Sequence, residues 1–361
     1  MFILSILSNY IFSLITFFIL IVMFVNQSYF KNIFRINYLK PNIHNGVQNI
    51  SQFEAPRITG LAFFISFVVF SFENYSNLYI ELILLSFFLF AISIIEDIKH
   101  NTSPRLRFFI ILFSCLSAIY FLDINPEFDV IFFSNINDIY FFSLLFFSIC
   151  LTTYVNGSNI IDGSNGTLAI CFLSSLLSIL SIMIIINFLP HAIVLLISFL
   201  ICTLVLFLIF NYPSGKIFMG DSSAYFVSFL IGIILLYVMT ANVDKLNPFT
   251  AVLILFYPSI EVIFSLLRKY FYDKVNPLLP DQYHLHLMLY FLVNDYLKNS
   301  KLSNNLIMPC LSVFIIIPTA VSIFLYDQIY QSIMITCVFT ISYLITYIIT
   351  RIKFEKSNIT F

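Results

Sequence analysis

The chain has 361 residues, 60 % of them hydrophobic and 10 % charged, with a mean hydropathy of +1.00 and a formal net charge of −1. Soluble domains carry about 25 % charged residues, so this composition excludes a water-soluble globule and predicts an all-α, polytopic integral membrane protein. The small net charge carries no sign of a nucleic-acid partner, and orientation in a bilayer follows where Lys and Arg sit rather than their total.

In chain order, apolar runs long enough to cross about 30 Å of hydrocarbon lie near residues 2–25, 57–72, 79–95, 107–122, 139–155, 167–189, 191–210, 224–241, 248–266, 306–325 and 331–350. They predict about 11 spans in one transmembrane domain over 1–361. The first run has no basic residue ahead of it and no small-residue cleavage site, so it is expected to be retained. The six cysteines (Cys115, Cys150, Cys171, Cys202, Cys310, Cys337) fall in apolar runs without C-x-x-C spacing and read as buried free thiols.

The basic residues test this map. Sixteen of the 17 Lys and Arg fall in loops after odd-numbered spans or at the C-terminus, and Lys245 alone falls on the other side. The positive-inside rule then makes the odd loops cytoplasmic, at about 26–56, 96–106, 156–166, 211–223 and 267–305, with the N-terminus outside and the C-terminus cytoplasmic. In a bacterium this is a multi-pass protein of the inner membrane. No long soluble domain and no internal repeat interrupts the pattern.

Four of these loops hold unusual polar residues. Asn156, Asn159, Asp162 and Asn165 recur every third residue within Asn156–Gly166, and in a helical turn they form a drifting row on one face. Taken alone, the same Gly/Asn-rich stretch also suits a helix cap. Glu96 and Asp97 are adjacent carboxylates at the end of an apolar run, unfavourable to desolvate unless they share a cation or a proton. Gly220 and Asp221 lie just before a span, where amide groups of a helix start stand beside an acid, and capping is the alternative reading. His284 and His286 share a face only in irregular backbone and are weak evidence alone.

The map places Asp97, Asp162 and Asp221 at one membrane face beside His284 and His286. Carboxylate oxygens suit Mg²⁺, which keeps several waters and binds one or two carboxylates with substrate phosphates. Histidines and Lys216 suit phosphate oxygens. The set points to phosphoryl chemistry at a membrane surface.

Four ordered motifs then resemble the polyprenyl-phosphate N-acetylhexosamine-1-phosphate transferases, which include the phospho-MurNAc-pentapeptide translocase and the undecaprenyl-phosphate GlcNAc-1-phosphate transferase. Pro56-Arg57-Ile-Thr59-Gly60 resembles the family's Pro-Arg-x-Gly-Gly element, Glu96-Asp97 its Asp-Asp pair, Asn156-x-x-Asn159-x-x-Asp162-Gly163 its Asn-x-x-Asn-x-x-Asp-Gly, and Phe218-Met-Gly-Asp221 its Phe-Met-Gly-Asp. Pro280-Asp281-x-x-His284-Leu-His286 is similar to the GlcNAc-type branch. The likeness runs from about His44 to about His286.

The resemblance implies transfer of a sugar 1-phosphate from a UDP-N-acetylhexosamine to polyprenyl phosphate. UMP is released with Mg²⁺ or Mn²⁺, at the start of a cell-surface glycan such as O-antigen. It implies that Asp221 and Asp97 ligate the metal, that Asp97 and Asp162 organise metal and phosphates, and that His284 and His286 contact phosphates or nucleotide. Asn211 and Phe218 match nucleoside-pocket positions; Arg57, Asn156, Asn159, Asn165 and Lys216 join the substrate-binding set, and a homodimer is expected. Three departures bear on this: Glu96 replaces the Asp to which removal of the lipid-phosphate proton is assigned, Asn165 stands for a second Asp, and Leu287 for a His. Competing readings are a secondary transporter and a catalytically impaired relative. Glu261, an acid about a turn inside the ninth span, is left without a role.

Overall fold

The computed structural model describes residues 8–26, 57–99, 102–124, 140–277 and 281–357. Most of the loop expected at 26–56, with His44 and Pro56 of the resemblance, lies outside them, as do His100 and Pro280.

Helices make up most of the described chain, and no strand occurs among the described residues. They are α1 (Ile11–Val25), α2 (Gly60–Glu73), α3 (Asn77–Lys99), α4 (Pro104–Phe121), α5 (Tyr140–Ile160), α6 (Thr167–Ile185), α7 (His191–Asn211), α8 (Gly220–Thr240), α9 (Phe249–Ile254), α10 (Phe256–Leu267), α11 (Leu285–Leu297), α12 (Ser300–Ser322) and α13 (Ile329–Lys356). A π-helical turn, Arg268–Asp273, continues α10. Among the described residues eight helices are long and apolar enough to cross a membrane: α3 to α8, α12 and α13. The protein is therefore a multi-pass membrane protein.

The other three expected runs look different. α1 and α2 are described over only 15 and 14 residues. The run at 248–266 is broken at Leu255, between α9 and α10. Pro258 lies in the first turn of α10, where a proline needs no amide partner. The break frees peptide groups inside the apolar layer, and Ser175 of α6 donates its hydroxyl to the Ile254 carbonyl at 3.0 Å.

Local sequence sets other helix starts. Pro104 follows the N-cap Ser103, whose hydroxyl accepts from Leu106 N–H, and Asn299 caps α12 by accepting from Leu302 N–H. Inside the spans, hydroxyls such as Ser86, Thr152 and Ser228 donate to carbonyls one turn back, which satisfies them without water.

α8 is the axis of the bundle, with 89 % of its apolar window buried against 17 % for α13. It packs on α2, α3, α4, α5, α6 and α9, and Gly232 lets Leu151 of α5 close against it. Outward-facing side chains such as Phe88 and Phe113 stay exposed, as lipid permits. The cysteines are free as expected, yet only Cys115 and Cys171 are buried, while Cys150, Cys310 and Cys337 are exposed. A lipid-facing surface is as apolar as a core, so an apolar run does not specify burial.

Candidate active site

The N-terminus of α8 gathers the acids. Gly220 has φ +73°, and a Cβ there would stand 2.0 Å from the Arg57 carbonyl and 2.8 Å from Asp97 Oδ1. Only glycine allows both the conformation and the approach. The turn brings three consecutive amides outward. Asp162 Oδ2 accepts from Gly220 N–H at 3.0 Å, Asp97 Oδ1 from Asp221 N–H at 2.8 Å, and Asp97 Oδ2 from Ser222 N–H at 2.9 Å and from the Ser222 hydroxyl. A helix N-terminus favours negative charge, so acids from α3 and from the turn after α5 meet there. Gly60 permits the packing, since a Cβ would fall 2.1 Å from Ser222 Oγ. Thr59 ties the α2 start to the same loop by donating to the Phe218 and Met219 carbonyls.

Asp221, in the first turn of α8, accepts from Arg107 at 2.7 Å, and the same guanidinium nitrogen lies 3.7 Å from Glu96. Glu96 is held in turn by the Thr102 amide at 2.8 Å and hydroxyl at 2.5 Å. Asn159 donates to the Tyr225 hydroxyl at 2.8 Å on the next turn of α8. Burial lifts the Asp162 carboxyl to about 7, against the opposing pull of the Arg57 cation and the Gly220 amide.

The histidines join this cluster through a bare backbone. A Cβ on Gly163 would lie 2.6 Å from His286 Nε2, so the imidazole rests against the peptide beside Asp162. His286 is 2 % exposed, and its Nδ1 has no hydrogen-bond partner among the described residues. Burial pushes its imidazole down to about 4, leaving it neutral at pH 7. His284 stacks nearly parallel to it, ring centroids 5.9 Å apart at 20°.

The remaining expected residues have partners within the fold. Asp97 spends both oxygens on α8. Asn156 donates to the Thr152 carbonyl of its own helix at 2.9 Å. The expected polar row is cut at Ile160, where α5 ends, so Asp162 sits in a turn and not on the face of its predecessors. Asn165 is buried: its amide N–H donates to Asn304 and its side chain to Asn305, both of α12. Asn211 bridges the Gly166 amide and the Ile217 carbonyl, each at 2.7 Å, which locks two site loops together. Phe218 is 4 % exposed and Lys216 is exposed at the loop rim.

Sequence reasoning passed over Arg107, Tyr225, Asn304 and Asn305, and weighed Ser222 only as a helix cap. Arg107 entered only as a topology charge, although an arginine inside the start of an apolar run was the available signal.

Among the described residues no three of His, Cys, Asp and Glu form a ready-made metal cage. Asp162 Oδ1 and Asp221 Oδ1 accept no hydrogen bond within those residues. Two carboxylates suit Mg²⁺, which binds one or two of them together with waters and substrate phosphates, better than a structural Zn²⁺ site.

An apolar cavity of about 530 Å³ lies between α5, α8, α9 and α10, lined among others by Phe147, Leu151, Leu236, Met239, Val252 and Ile263. It reaches Thr153, one turn before Asn156.

Residues 79–239 match the family model described as glycosyl transferase family 4. The stretch runs from α3 to α8 and holds Glu96, Asp97, Asp162 and Asp221. The matched stretch is less than half of the chain, and what it resembles is a glycosyltransferase of that family. It stops short of α10, His284 and His286. The chain matches no curated protein.

Proposed function

We propose that the protein transfers an N-acetylhexosamine 1-phosphate from a UDP-sugar to polyprenyl phosphate at the cytoplasmic face of the membrane. The products are polyprenyl-diphosphate-sugar and UMP. The observation that carries this reading is the N-terminus of α8. There Asp97, Asp162 and Asp221 meet around outward-facing amides, inside the stretch that matches the glycosyltransferase family.

Each residue has work in that reaction. Asp162 and Asp221 would hold Mg²⁺, which would supply positive charge to neutralise the donor pyrophosphate. Asp97 keeps the α8 terminus in place. Arg57, Arg107 and His286 border the same space and meet phosphate oxygens. Glu96, steered by Thr102 and Arg107, takes the proton of the lipid phosphate. An oxygen of that phosphate then attacks the sugar-bearing phosphorus in line, and the bond to the UMP oxygen breaks. Positioning and charge suffice for such a step without a protein nucleophile. The apolar cavity, ending near Asn156, suits the acceptor's hydrocarbon chain.

The test is purified protein with undecaprenyl phosphate, a panel of UDP-N-acetylhexosamines and Mg²⁺, read as UMP release. Asp221→Asn abolishes release while the protein stays folded. Absence of UMP with every donor sinks the proposal, and near-normal turnover of the variant removes Asp221 from the site.

A further inference from the structure

Glu261 is an acid of α10 that is 1 % exposed. A carboxylate so buried is costly unless its oxygens are matched by donors, and here they are. Oε1 accepts from His284 Nδ1 at 3.1 Å and from Leu285 N–H at 3.2 Å, and Oε2 accepts from the Tyr343 hydroxyl of α13 at 2.8 Å. Two of these donors belong to the start of α11, the helix whose second residue is His286. The negative charge therefore sits at that helix's N-terminus, and the ring nitrogen facing it carries the proton. The His284 ring is thereby fixed in plane, parallel to His286. The other acid facing His284 is Asp281, with Oδ1 3.7 Å from Nε2. It is anchored independently by Arg268 at 2.7 Å, Lys269 at 3.2 Å and the Tyr283 amide at 3.0 Å.

We propose that Glu261 is a positioning residue of the transfer site: acting through His284 and the first turn of α11, it sets where His286 stands against the Asp162–Gly163 turn. The assignment rests on the transfer reading above. It explains an acid that has no place among the phosphate-facing groups and lies outside the family-matched stretch. Glu261 touches no reacting atom; its effect passes through one ring and one backbone amide.

Two variants separate positioning from mere packing. Glu261→Gln keeps an oxygen for His284 Nδ1–H and Leu285 N–H, and the Tyr343 hydroxyl can turn to accept from its NH₂. Glu261→Leu keeps the bulk and suits an apolar span but leaves both α11 donors without an acceptor. The full chain in nanodiscs, ¹⁵N-labelled at its five histidines with His284 assigned by His284→Asn, reports the tautomer directly. The expected result is an Nδ1–H form of His284 in the wild type and in Glu261→Gln that is lost in Glu261→Leu. UMP release should show kcat lowered about 10- to 100-fold in Glu261→Leu, the scale of misplaced catalytic groups, with KM for the donor within about threefold, and Glu261→Gln within about threefold on both. A wild-type His284 without the Nδ1–H form, or Glu261→Leu with unchanged kcat, overturns the proposal. If no donor yields UMP, the transfer reading falls, while the tautomer signal still decides whether Glu261 holds His284.

Discussion

Asp97→Asn tests whether this carboxylate is a helix anchor or a metal ligand. The exchange keeps the volume and replaces one oxygen by NH₂. In the native site Oδ1 takes the Asp221 amide and Oδ2 takes the Ser222 amide and hydroxyl. Asparagine offers one acceptor, so either way round one N–H of α8 faces an NH₂. A buried donor left unsatisfied costs about 1–3 kcal/mol, and the lost charge at a helix N-terminus costs a further ~0.3–1 kcal/mol or more when partly buried. The sum is a destabilisation of about 1–4 kcal/mol, or a fall in Tm of roughly 2–5 °C for a chain of this size. Asp221→Asn removes a pair whose side chains remain 21–23 % exposed, and such a pair is worth about 1 kcal/mol or less. Thermal unfolding of both purified variants in detergent, followed by circular dichroism, gives the comparison. An Asp97→Asn protein that melts with the wild type yet releases no UMP refutes the anchor and makes Asp97 a ligand.

Two further outcomes are expected. Gly163→Ala drives a methyl toward His286 Nε2 and lowers UMP release by about 10²-fold with little change in Tm; full activity would detach His286 from the site. Asp162, with its carboxyl near 7, is partly protonated at neutral pH, so Mg²⁺ binding releases protons and weakens as pH falls below about 7. Because the folded value is raised, the metal-free protein keeps this group's contribution to stability at low pH and loses it as pH rises through about 7. Titration calorimetry in buffers of different ionisation enthalpy reads the first effect; a buffer-independent heat removes Asp162 from the metal.

The apolar runs gave the helices because each is set by length and hydropathy alone, both local quantities. The break at Leu255 was hidden, since Leu255 and Phe256 are as apolar as their neighbours and the kink is stabilised by a hydroxyl from another helix. The carboxylates of the site were legible as interruptions of that pattern. Their partners were not: Asp97 and Asp162 read alike, yet both oxygens of the first accept from α8, while among the described residues only one oxygen of the second does. Asn165 and Asn211 drew notice as polar residues in an active-site stretch, whereas the fold uses their amides to fasten loops to α12 and to each other. Three of these pairings depend on partners about 45 to 140 residues away, which no local window contains.

The interruption between α9 and α10 has a consequence for how substrates arrive. Hydrocarbon offers nothing to a loose peptide group, so the corner cannot slide along the chain: it stays where Ser175 meets Ile254, and where Gly157 leaves room for the Pro258 carbonyl. Leu255, at that corner, also lines the apolar cavity. On the proposed reading, in which this cavity takes the acceptor's hydrocarbon chain, its wall at Leu255 is thus held from α5 and α6, by a hydroxyl and a missing side chain that lie outside its lining.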